Sequence, residues 1–153
     1  MPTNRFVVDT SVVLKWFLKE SSDEALTDEA DELLEAFLAG EIELFGCSHL
    51  YQEVSAVLVK RHQTQRGKYP KEWVQERYQG LREIGLLDAE TSLPDQRNDV
   101  GEATTIALSN ERTAYDMVFV AAAKRLDCIA CTADSWGSDQ SFSHSVHLKD
   151  VSL

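Results

Sequence analysis

The amino-acid sequence predicts an α/β domain with a mostly parallel central β-sheet flanked by helices. Short β-branched runs alternate with amphipathic helical segments along the chain, the pattern of parallel strands joined by helices. One later segment, Tyr115 to Arg125, is apolar almost all round, as a helix buried on most sides would be. With 153 residues, 43% of them hydrophobic, the chain can bury one sizeable core and divides poorly into two, so a single domain over 1–153 is expected.

Phe6-Val7-Val8 reads as a strand that ends at Asp9-Thr10-Ser11, and Val12, Val13, Trp16 and Phe17 then recur at helical spacing. Ser21 and Glu24 are spaced as a capping box for a second helix with Leu26, Ala30, Leu33, Leu34, Phe37 and Leu38 on one face and Gly40 as its stop. Ile42 to Gly46 predicts a short strand, and Ser48 is placed to cap a helix with a stripe of Leu50, Val54, Val57 and Leu58. Gly67 and Pro70 break the polar stretch from Gln63 to Lys71, and another helix is expected from about Lys71 to Arg82.

A buried run, Ile84 to Leu87, comes next, followed by a polar connection from Asp88 to Asn98 that contains Pro94. Asp99 to Asn110 resumes helical spacing through Val100, Ala103 and Ala107, and Tyr115 to Arg125 is the apolar helix. Cys128 to Thr132 and Val146 to Leu148 complete the expected strands. The longest apolar stretch, Met117 to Ala123, is far short of the roughly 18 residues that cross a bilayer. No apolar signal segment follows positive charges at the N-terminus, so neither secretion nor membrane insertion is expected. Three cysteines, Cys47, Cys128 and Cys131, make a disulfide framework unexpected and suit a reducing cytoplasm.

In open parallel sheets, ligands gather outside the carboxyl ends of the strands. Asp9 and Asp134 both stand just past such ends, and if their strands are neighbours the two carboxylates face each other. Either residue also reads as a simple helix cap. Glu53 falls about 100° from the centre of its helix's apolar stripe, near the edge, where it is either directed toward a site or merely solvated. Asp116 opens the apolar helix with Thr113 three residues before it, a capping pair that leaves the carboxylate available as a ligand. Two unit charges about 4 Å apart repel by about 4 kcal/mol at an effective dielectric near 20, so four clustered carboxylates need a cation or bound protons. Oxygen-only ligands favour Mg²⁺ or Mn²⁺, and two such ions can activate a water and stabilise the leaving oxygen of a phosphodiester.

Other signals cut both ways. The net charge of −11 opposes a polyanionic partner at long range. Against this, Lys60, Arg61, Arg66, Lys68 and Lys71 form a basic run without a single acid, which is able to grip an RNA backbone and is also compatible with an ordinary solvated helix end. Cys128, Cys131, His144 and His147 resemble a zinc site only superficially, because the His spacing is one residue short of the usual minimum and cysteines three apart on a strand point to opposite faces. There is no Gly-rich phosphate loop, and the second Asp of haloacid-dehalogenase phosphotransferases is replaced by Ser11.

Taken in order, Val7-Val8-Asp9-Thr10-Ser11, Tyr51-Gln52-Glu53-Val54, Tyr115-Asp116 before an Ala-rich helix, and Thr132-Ala133-Asp134 resemble the motifs of PIN domains, in particular the VapC-type toxins of toxin-antitoxin pairs. The resemblance implies a parallel sheet between helices and an acidic quartet of Asp9, Glu53, Asp116 and Asp134 that binds Mg²⁺ or Mn²⁺, with Ser11 and Thr132 as polar neighbours. It further implies an endoribonuclease, often a homodimer, silenced by an antitoxin that wraps the helices between about Val12 and Ala39. The Ser-rich region after Asp134, with Asp139, follows no pattern of that family. The competing expectations are a catalytically silent RNA- or protein-binding module of the same fold, and a carboxylate-metal phosphohydrolase with another substrate.

Overall fold

A computed structural model of the protein describes residues 4–20, 24–91, 98–139, 141–142 and 144–153. Five parallel strands, β1 (Arg5–Val8), β2 (Glu43–Gly46), β3 (Leu87–Asp88), β4 (Ile129–Thr132) and β5 (Ser145–His147), pair in the order β3-β2-β1-β4-β5. From β1 the chain builds outward through β2 to β3, then crosses to the other side of β1 to add β4 and β5. That reversal leaves a crevice at the carboxyl ends of β1 and β4, the usual ligand position in such sheets.

The helices are α1 (Thr10–Phe17), α2 (Thr27–Leu38), α3 (Ser48–Thr64), α4 (Lys71–Ile84), α5 (Asp99–Asn110) and α6 (Ala114–Arg125). Val7, Val8, Leu44, Ala130 and Cys131 are buried along the inner strands, as a sheet covered by helices on its faces requires. The all-round apolar segment is α6, which packs on β1 and β4 and buries Met117, Phe119 and Val120 through Ala123. Among the described residues no helix is long and apolar enough to cross a membrane.

Four local expectations are corrected. Helix α2 starts at Thr27 behind Leu26, whose φ of 58° is left-handed and supplies no side-chain cap; Glu24 lies before the helix and Ser21 outside the described residues. Leu38 is not on its buried face but 65% exposed at the helix end. Ser48 is the first residue of α3 rather than its cap, and its N–H donates to the Glu90 carboxylate at 2.6 Å. The run Ile84 to Leu87 is buried only at Leu86. Gly85, at φ 74°, ends α4, Leu86 is buried, and Leu87 begins a two-residue edge strand with its side chain 39% exposed. Within the polar connection from Asp88 to Asn98, residues 92–97, with Pro94, lie outside the described residues.

Candidate active site

Strands β1 and β4 are direct neighbours in register, Val8 opposite Cys131, and the backbone N–H of Asp9 donates to the Cys131 carbonyl at 2.9 Å. Asp9 therefore leaves β1 in extended conformation at the crevice and caps α1, so capping and site placement coincide in one residue. The residue is only 3% exposed. One oxygen, Oδ1, accepts from the Thr10 N–H at 2.8 Å; the other, Oδ2, accepts from the Ser11 hydroxyl at 2.7 Å and the Thr132 hydroxyl at 2.6 Å. Ser11 Oγ also accepts from the Ala133 N–H at 2.9 Å, and Thr132 Oγ1 accepts from the Asp134 N–H at 3.0 Å. The two hydroxyls thus bind the turn after β4 to the turn after β1.

Asp134 stands at the exposed rim, and Asp116 is half-buried in the first turn of α6. Thr113 caps α6 reciprocally with Asp116: the Asp116 N–H donates to Thr113 Oγ1 at 3.2 Å, and the Thr113 hydroxyl donates to Asp116 Oδ2 at 2.9 Å. The three aspartates feel one another. Burial pushes the Asp9 carboxyl up to about 7, opposed by the Thr132 and Ser11 hydrogen bonds and reinforced by the charges of Asp134 and Asp116. Asp134 is likewise raised, first by burial and then by Asp116, while a hydrogen-bonding contact with Asp9 and the charges of Lys15 and His147 pull it down.

Glu53 is joined to this group indirectly, accepting a 2.5 Å hydrogen bond from the Thr10 hydroxyl through Oε2. Among the described residues no three of His, Cys, Asp or Glu are gathered closely enough to hold a metal ion as the side chains stand. The basic run lies apart from the crevice. Lys60 and Arg61 are in α3, two turns beyond Glu53, while Arg66 and Lys68 follow in the turn into α4. Arg61 and Lys68 lie over the Tyr69 ring, at 5.9 and 5.2 Å from its centroid. Asp139 does not join the acidic group; it accepts from Arg112 at 3.1 Å and from the Ser141 N–H at 2.9 Å.

Four supporting residues escaped the sequence reading. Thr10 is the link between Asp9 and Glu53. Gly137 packs so closely behind Thr132 that a Cβ there would lie 2.6 Å from Thr132 Cγ2 and 2.9 Å from both His147 Cα and the Val146 carbonyl oxygen. His147 accepts the Lys149 N–H at Nδ1, which leaves Nε2 as the ring nitrogen that donates to the Ala133 carbonyl at 3.0 Å. Lys15, buried on α1, pairs with Glu24 at 3.1 Å. Only Thr10 had a sequence signal, its place beside Asp9; the others depend on partners brought together by the fold.

Comparison with solved structures finds a similar fold in a crystal structure of VapBC2 from Rickettsia felis bound to a DNA fragment from their promoter. The match has a TM-score of 0.63 and 14% sequence identity, and covers 94% of this chain and 96% of that one. No curated protein was found to match the sequence. The PIN domain family matches residues 6–136, from β1 through Trp136 just beyond Asp134, and with β1 and β4 side by side at the acidic crevice, the chain belongs to the PIN domain family.

Proposed function

We propose that the protein is a divalent-cation-dependent endoribonuclease, the toxin of a toxin-antitoxin pair. The observation that carries this reading is Asp9, a buried carboxylate at the sheet crevice lying in the field of Asp134 and Asp116. A structural cap has no need of two further acids at its back, and their repulsion is what a cation relieves. The donors are all hard oxygens, which fit Mg²⁺ or Mn²⁺. When bound, such ions activate a water and stabilise the leaving oxygen of a phosphodiester.

The protein's own part follows from the hydrogen bonds. Ser11, Thr132 and the Thr10 N–H orient Asp9 as the fixed ligand, and Asp134 and Asp116 would supply further oxygen ligands. Glu53, coupled to Asp9 through Thr10, or Asp116 orients the attacking water. Lys60, Arg61, Arg66 and Lys68 grip the RNA backbone away from the cut; Lys60 is two turns from Glu53 and so shares its face of α3. The VapBC2 neighbour supports a cognate antitoxin; its docking on α1 and α2 is what the family resemblance implies. Strongly exposed Val100, Leu108 and Tyr115 offer apolar surface for a homodimer. Three buried free cysteines suit a cytoplasmic location.

The test is cleavage of a mixed RNA pool by purified protein with Mg²⁺, Mn²⁺ or EDTA, beside Asp9→Ala and Asp116→Ala. Divalent-dependent cutting that both variants lose is the expected result. A correctly folded wild-type protein that cuts nothing with either metal would point instead to a silent binding module, and cutting of DNA or a phosphorylated metabolite alone to a different phosphohydrolase.

A further inference from the structure

Lys15 is the one lysine among the buried polar and charged residues described, at 8% exposed. An ammonium taken out of water is costly unless it is paired and used. Its place is specific: one helical turn after Ser11, it shares the face of α1 from which Ser11 bonds both Asp9 and the Ala133 N–H. Its charge reaches the Asp134 carboxylate, yet its ion pair is with Glu24 at 3.1 Å, just before α2. Glu24 therefore holds the ammonium within electrostatic reach of Asp134 without an ion pair between Lys15 and the aspartates. An ammonium has three donors, and the Glu24 bond uses one of them.

A crevice lined by Asp9, Asp116 and Asp134 repels the phosphodiester that the proposed reaction must admit. From this geometry we infer that Lys15 is a phosphate-binding residue, anchored by Glu24, which donates to a nonbridging oxygen of the RNA phosphate held at the crevice. The inference rests on the ribonuclease reading and adds to it the contact that offsets the crevice's repulsion. Lys suits this use as a point charge that can satisfy Glu24 and a phosphate oxygen together. The bland alternative is a purely structural bond tying α1 to the start of α2.

The experiment compares wild type with Lys15→Met, Lys15→Arg and the neutralised pair Lys15→Met/Glu24→Gln. It measures thermal stability, Mn²⁺ affinity without RNA, and binding of a single-stranded RNA oligonucleotide in EDTA over a series of salt concentrations. Lys15→Met is expected to weaken RNA binding by about tenfold, the loss of one charge-assisted hydrogen bond. The salt slope should fall by about 0.7, as expected for one lost contact to single-stranded nucleic acid. Mn²⁺ should bind more tightly, because a cation has left the ligand cluster. The neutralised pair should recover stability without recovering RNA binding, whereas Lys15→Arg keeps part of it. Normal RNA binding and salt slope in Lys15→Met, or full recovery of both in the neutralised pair, would overturn the inference in favour of a structural bond. Those outcomes, with wild type still cutting RNA in an Asp9-dependent way, leave the ribonuclease reading intact; a wild type that neither binds nor cuts RNA removes both.

Discussion

The hydroxyl of Thr132, at the end of β4, donates to Asp9 Oδ2 at the end of β1 over 2.6 Å, although 123 positions separate the two residues in the chain. The same oxygen atom of Thr132 accepts from the Asp134 N–H, so one side chain orients two of the proposed ligands. Replacing Thr132 by Val keeps the volume and removes both bonds. The expected cost is about 1 to 3 kcal/mol of stability and a loss of roughly tenfold or more in cleavage, from a misaligned Asp9. Thr132→Ser should retain most of both. Denaturant titration beside a cleavage assay measures the two effects separately.

Proton linkage at Asp9 gives stability an unusual sign. In the unfolded chain its carboxyl titrates at 3.8, whereas burial raises it to about 7 in the folded protein, so the folded state binds the proton more tightly. The stabilising contribution of that proton is fully present below 3.8 and is lost as pH rises through about 7. Metal-free protein should therefore become less stable between about pH 4 and pH 7 on this account, and Asp9→Asn should be flatter over the window and more stable at pH 8 by about 2 to 4 kcal/mol. Saturating Mg²⁺ should offset the wild-type loss, because the ion selects the ionised carboxylate. Urea midpoints for both proteins in EDTA and in Mg²⁺ decide it; a wild-type midpoint in EDTA that rises over this window would contradict the linkage.

Local sequence reading located this crevice because its parts carry local signals. A β-branched run stopped by Asp9 and a Thr113–Asp116 capping pair are visible in a few residues, and both form as expected. Periodicity placed Glu53 at the edge of its apolar stripe, where it is half-buried against Thr10. What periodicity cannot see is a partner. Glu24 has the spacing of a capping residue, yet its carboxylate goes to Lys15. Leu38 continues the α2 stripe in sequence, but it stands mostly exposed at the helix end. Gly137 has no pattern at all; its necessity comes from the backbone of β5 and the methyl of Thr132 arriving on either side of it.

That crowding makes Gly137→Ala a sensitive probe of the site's support. The added methyl would sit within 3 Å of His147 Cα and the Val146 carbonyl oxygen as well as Thr132 Cγ2, and backbone cannot yield as a flexible side chain does. Overpacking of this kind costs about 1 to 3 kcal/mol. The displaced Thr132 should also lower cleavage per folded molecule, which active-site titration after correction for the folded fraction would reveal.

Asp99 and Arg125 form the internal control, since their pair holds the fold and not the crevice. Arg125 Nε and Nη2 donate to the two Asp99 oxygens at 2.8 and 2.9 Å, and Nη2 also donates to the Ala89 carbonyl at 2.6 Å, joining α5, α6 and the segment after β3. Both side chains are nearly buried, 5% and 9% exposed. Asp99→Ala leaves the guanidinium without its carboxylate and should cost about 3 to 5 kcal/mol. The measured loss should appear in the melting temperature, with unchanged cleavage per folded molecule at low temperature.

The basic run at the turn between α3 and α4 should act on RNA binding alone. Lys60, Arg66 and Lys68 are exposed, and Arg61 and Lys68 are braced against Tyr69, so the charges are presented from a fixed platform. Along α3, Lys60 lies about 10 Å of helix rise from Glu53, close enough for one RNA strand to touch both. If these side chains meet phosphates, each substitution to Ala should lower the slope of log affinity against log salt by about 0.7, and kcat at saturating RNA should stay within a factor of about two. The opposite pattern, an unchanged salt slope with reduced stability, would make the run an ordinary helix end. The strong overall negative charge sharpens the measurement: with a net charge of −11, the protein has little non-specific attraction for RNA to mask the loss of single contacts.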